Sequence, residues 1–121
     1  MSASHAPALD AIAFQLAAAL EEYEVSVGRM IDTWLDMELY GRVSEQIEEI
    51  RLYCLPLPQL SAPWVELLIA HAELVHALWR LRFQEEGTDR ERLEEVRQHH
   101  TACVRKLRSR CLVLLSGAPL S

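Results

Sequence analysis

The residues of this chain whose types and spacing could carry chemistry are concentrated between Ser61 and Leu115. Four of the five histidines lie there, with two of the three cysteines and two of the three tryptophans. Glu73-Leu-Val-His76 has the Glu-x-x-His spacing that sets both side chains on one helix face, as in carboxylate-bridged di-iron bundles. Those bundles use the pair twice. The nearest second pair here is Glu95 with His99, at i,i+4. Glu73, His76, Glu95 and His99 are therefore the candidate metal ligands. Against them, Glu73 lies in line with Glu66 and Arg80 on a polar helix face. His99-His100-Thr-Ala-Cys103 adds spacings that suit zinc, but no second close pair completes four ligands. The pattern does not require a metal, and no cofactor is expected.

His71 and His100 differ from the other two histidines. Each interrupts an otherwise mostly apolar helical row, which places both on the core side of their helices. A histidine without water needs a hydrogen-bond partner, and desolvation lowers its pKa. Tyr23, on an earlier apolar stripe, is the candidate partner. His71, His100, Tyr23 and Cys103 are thus the core polar or ligand candidates. Such a cluster either fixes helix register, as a lone core Asn does in coiled coils, or lines a ligand pocket.

His76-Ala-Leu78-Trp79-Arg80 resembles the start of the His-x-Leu-Lys-Gly run of histidine phosphotransfer domains, which are four-helix bundles of about this length. The resemblance implies an exposed, phosphate-accepting His76. The chain departs from the run at two positions: Trp79 replaces the lysine, and Arg80 the small residue that lets a partner approach. No nucleophile motif accompanies these residues. There is no glycine-rich phosphate loop, no serine elbow and no cysteine beside an evident base, so the chain is not expected to be an enzyme. Cys54, Cys103 and Cys111 fall on or beside apolar stripes, where cysteine acts as a small hydrophobe.

Long helices must position these side chains. From Pro63 to Glu86 there is no further proline, no glycine and no turn cluster. Pro63 suits a helix start, Gly87 a helix end, and Thr88-Asp-Arg-Glu91 has capping-box spacing. Two helices, 62–86 and 89–115, joined by a tight turn are predicted. The seam of the first reads Trp64, Leu68, His71, Val75, Leu78 and Arg82. That of the second reads Leu93, Val96, His100, Cys103, Leu107, Cys111 and Leu114. Acids open the second helix, and the cluster Arg105, Lys106, Arg108 and Arg110 closes it, complementing the helix dipole or acids on a neighbour.

Upstream, Leu9, Ile12, Leu16, Leu20, Tyr23, Val27, Met30, Trp34 and Met37 recur at steps of 3 and 4. One helix over 8–40 is favoured, with a kink or break at Gly28 as the alternative. A second helix follows over 42–54, with Val43, Ile47, Ile50 and Cys54 as its stripe. Pro56 and Pro58 then enforce a loop. Residues 1–7 read as a disordered lead, 8–115 as a single domain and 116–121 as a tail.

The expected fold is all-α: an antiparallel bundle of about four helices with a long first helix. Its length would leave apolar residues around Met30, Trp34 and Met37 unmatched, which points to a homodimer. Met30, Trp34, Met37, Tyr40 and Trp79 are the interface candidates, since aromatic and methionine side chains suit interface cores. Residues 1–60 carry 10 acids and 3 bases, and residues 61–121 carry 8 acids and 9 bases, for a net charge of −6. That balance argues against nucleic-acid binding by the surface at large. No run approaches the ~20 apolar residues that span a bilayer. The N-terminus lacks the features of a secretory signal, and the three cysteines do not form a disulfide framework. A cytoplasmic location is therefore expected. The 11 Arg and 1 Lys, with many Ala and Leu, suggest a bacterial source. The functional expectation is an adaptor, chaperone or regulator that binds an unidentified protein partner. The alternatives are a metal- or ligand-binding bundle and the phosphotransfer module.

Overall fold

The structure, a computed structural model, describes residues 5–83 and 90–116. Four α-helices and one short 3-10 turn follow in order: α1 (His5–Asp32), α2 (Met37–Cys54), the 3-10 turn (Pro58–Leu60), α3 (Ser61–Phe83) and α4 (Arg90–Ser116). α1 packs against both α2 and α4, and α3 packs mainly on α4, while α2 and α3 meet only sparsely. The helices run antiparallel. Ala13 of α1 meets Cys111 of α4, and Tyr23 meets His100. Across α3 and α4, Glu66 meets Lys106 and Glu73 meets Arg92. The all-α antiparallel bundle with a long first helix is the fold expected from the sequence.

The stripe of α1 is buried from Leu16 through Leu20, Tyr23 and Val27 to Met30, and that of α2 through Val43, Ile47, Ile50 and Cys54. α4 buries Val96, His100, Cys103, Leu107 and Cys111, with Leu93 and Leu114 packed at the margin. These stripes follow the expected ones, except that Leu9 of α1 is exposed and α4 also buries Val104.

Three expectations are corrected. The first helix does not run over 8–40. It starts at His5, remains helical through Gly28, and ends at Asp32. The chain then reverses through Thr33-Trp34-Leu35-Asp36. Leu35 N–H donates to Met30 O at 2.8 Å and Trp34 N–H to Ile31 O at 3.1 Å. That pair of bonds is a Schellman closure, which satisfies the last carbonyls of a helix. Asp36 starts α2 by accepting from the N–H groups of Glu38 and Leu39 at 3.0 and 3.1 Å. Because the chain folds back here, α1 has no unmatched overhang. Met30 is 0% exposed, inside the protomer, and is removed from the candidate interface.

The second correction concerns α3, whose buried stripe is Pro63, Leu67, Ala70, Leu74 and Leu78. The predicted seam lies one position around the helix. It shares only Leu78 with the buried stripe, and its Leu68 is exposed. α3 is apolar on more than one face, so periodicity alone does not select the core-facing one. The third concerns α4, whose last turn contains no basic residue. Arg105, Lys106 and Arg108 lie earlier and, as expected, face acids on neighbouring helices: Glu24, Glu66 and Glu21 respectively. The expected turn at Gly87 and Thr88, and the capping box begun by Thr88, lie outside the described residues.

Candidate functional site

Two features on this scaffold have chemistry beyond packing: a polar cluster in the core and an apolar corner on the surface. The core cluster is built on Tyr23. Its Oη lies 2.7 Å from His71 Nδ1 and 2.8 Å from His100 Nε2. Tyr23 comes from the middle of α1, His71 from α3 and His100 from α4, so the three side chains tie three helices together. A phenol has one proton to donate and lone pairs to accept. With both histidines neutral, one imidazole N–H donates to Tyr23 Oη and Tyr23 O–H donates to the other imidazole. Either direction satisfies the hydroxyl twice.

Burial sets the protonation states. It raises the Tyr23 pKa well above the ordinary phenol value. It lowers His71, and it lowers His100 to about 4, helped by the charges of His71 and His99. The cluster therefore holds neutral groups near pH 7. Cys103, also buried, lies apart from these hydrogen bonds, 3.7 Å from His99 Nε2 across one turn of α4. A shallow cleft of about 180 Å3 between α1 and α4 reaches His100, lined by Glu24, Gly28, Arg97, Thr101 and Arg105 among others.

The metal candidates do not converge. Among the described residues, no group of three or more His, Cys, Asp or Glu side chains is placed to hold a metal ion. Arg92 lies between a carboxylate of each pair, 3.8 Å from Glu73 and 3.9 Å from Glu95. A guanidinium between two carboxylates replaces the cation that a metal would supply. His76 and His99 are exposed on their helices.

The surface corner forms where the α1–α2 reversal meets the C-terminal end of α3. Trp34 is 44% exposed, and Met37 and Phe83 are more exposed still. Tyr40 is half-buried. Trp79 stacks on Phe83 with ring centroids 4.7 Å apart. Arg82 joins the two parts: its Nη1 donates to the carbonyls of Trp34 at 3.0 Å and Leu35 at 2.6 Å. Its guanidinium also lies 5.5 Å from the Phe83 ring centroid. Arg90 covers the Trp34 ring at 5.4 Å. Trp34, Met37, Tyr40 and Trp79 of this corner are interface candidates from the sequence; Arg82 and Phe83 are not among them. An arginine within an otherwise apolar row was the available signal, because such a charge must find an acceptor.

Trp34 and Leu35 have φ values of 56° and 69°. Glycine is the usual residue in this left-handed region, and bulky side chains there are strained. Leu35 has a packing reason, being fully buried against the core. Trp34 is covered only in part, with 44% of it facing solvent.

Comparison of the chain with protein-family models, curated proteins and solved structures found no match.

Proposed function

We propose that this protein acts by binding another protein chain, through the corner formed by Trp34, Met37, Trp79 and Phe83 with Arg82 and Arg90. The observation that carries this reading is Trp34. A tryptophan sits exposed in a backbone conformation that glycine would adopt at lower cost, and strain of that kind persists where function requires the side chain. Tryptophan and arginine are also the residues that most often dominate binding energy at interfaces. Tyr40 and Met37 extend the corner along the start of α2. No step of catalysis is assigned.

The test is capture of interacting chains, including second copies, by the intact protein and by Trp34→Gly. The variant is expected to keep its helicity and stability while losing most of the association. Equal association by both proteins would contradict this reading.

Phosphate acceptance by His76 keeps one supporting observation, its exposure on α3. Failure of the chain to form phosphohistidine with a phosphorylated response-regulator domain would end that reading. The Tyr23 cluster is read as structural, because its hydroxyl already has both partners within the fold.

A further inference from the structure

The outward face of α3 is apolar along most of the helix. Val65, Leu68, Ala72, His76, Trp79 and Phe83 recur at steps of 3 and 4, with Ile69 beside them, directly opposite the buried stripe. The large apolar members are between 37% and 59% exposed. No charged side chain interrupts the row. A solvent-facing helix side is ordinarily polar, so a row of this length marks a contact surface.

We propose that this face pairs with the same face of a second copy, α3 antiparallel to α3 about a two-fold axis near Ala72 to His76. The proposal rests on the protein-binding reading above and names its partner. Its basis is self-complementarity. In this register the small side chains of one protomer meet the large ones of the other. Val65 lies opposite the partner's Phe83, Leu68 and Ile69 opposite the partner's Trp79, and Ala72 opposite the partner's His76. Ala72, set against the partner's His76 at the centre, lets the two helix axes approach to the ~8–10 Å of packed helices.

The flanking charges agree with the same register. Glu66, Glu73 and Arg80 lie along one edge of the apolar row. In an antiparallel pair each edge faces its own copy, so Glu66 lies opposite the partner's Arg80, twice by symmetry. Among the described residues Arg80 makes no ion pair within its own chain, and Glu66 pairs only with Lys106, at a half-exposed site. Glu73 meets its own copy near the axis, where Arg92 at 3.8 Å offsets its charge. A parallel pair would instead stack Trp79 on Trp79 and leave the Val65 ends loosely packed. The row offers on the order of 500 Å2 per protomer, about 1,000 Å2 for the pair, which is the lower bound for a specific interface. The dimer is accordingly concentration-dependent.

Sedimentation velocity of the full chain over roughly 1–100 μM tests this, since interfaces of that size are weak. The wild type shifts from monomer to dimer across the series. Glu66→Arg and Arg80→Glu each weaken self-association roughly tenfold, because each sets like charges face to face twice. An equimolar mixture of the two variants regains wild-type association, as does one chain carrying both changes. Circular dichroism confirms that each variant keeps its helices. A wild type that stays monomeric throughout overturns the dimer, and so does a mixture that associates no better than its components. The protein-binding reading fails separately, if Trp34→Gly leaves every captured association unchanged.

Discussion

Tyr23, His71 and His100 show how a single hydroxyl can set conditions for a fold. Removing it as Tyr23→Phe leaves one buried and one part-buried imidazole nitrogen without a partner. The expected cost is about 1–3 kcal/mol, read as a lowered urea midpoint. An unchanged midpoint would show that water or a rearrangement replaces the hydroxyl. The same residues make stability depend on pH. Both histidines have lowered pKa values when folded, so the unfolded chain binds protons more readily and acid favours unfolding. The loss starts as pH falls through the ordinary value of 6.5 and is complete below about 4, where folded His100 also protonates. For His100 it amounts to about 3 kcal/mol. Urea titrations at several pH values between 7.5 and 4 check this, and His100→Gln is expected to flatten the profile. The partners were legible in the sequence, because a histidine in each of two apolar rows and a tyrosine in a third invite one another. The sequence did not show that Arg92, three residues before Glu95, has the reach to stand between the Glu73 and Glu95 carboxylates.

At the scale of elements, the α1–α2 reversal decides the account. Trp34→Gly relieves strain worth about 1 kcal/mol but gives up a cation–π contact of about 0.5 kcal/mol, the contacts of the covered part of the ring, and some chain entropy. Its thermal midpoint is therefore expected to stay close to that of the wild type. A clear drop would mean that Trp34 is held for stability and not for contact. Asp36→Ala removes the acceptor for two N–H groups at the start of α2 and is expected to cost about 1 kcal/mol. The break was hard to read because the 3–4 spacing of α1 continues by coincidence through Trp34 and Met37, with no glycine or proline between. The signals were Asp36 in an N-cap position and the separate stripe that enters α2 through Leu35 and Leu39. The face of α3 was misassigned for a related reason: Leu67, Leu68 and Ile69 are adjacent, so several faces score alike. What decides burial is which face meets α4 and α1, and that is a tertiary fact.

The molecule is tied mainly by three helix pairs, α1–α2, α1–α4 and α3–α4, and carries its charges at the edges. Glu21, Glu24 and Glu66 face Arg108, Arg105 and Lys106 across helix boundaries. Pairs this exposed contribute little individually, so raising the salt concentration should move the thermal midpoint only slightly. No helix among the described residues is long and apolar enough to cross a membrane. All three cysteines are free and buried. Burial pushes Cys54 up to about 12 and Cys111 to about 11, and raises Cys103 as well. Thiol labelling of the native protein is therefore expected to be slow at all three positions and to accelerate together on unfolding. One thiol reacting rapidly in the native state would reveal a local opening of its helix.

We propose that the outward face of α3 and the adjoining Trp34 corner form one contact surface. Native mass spectrometry of untagged protein tests it most directly, comparing the wild type with a Trp79→Asp, Phe83→Asp double variant across a dilution series. Both substituted side chains are exposed, so the variant is expected to fold. The wild type should show a dimer mass that declines on dilution, and the variant should show monomer at every concentration. A wild type that is always monomeric, or a variant that dimerises as well as the wild type, would contradict the claim.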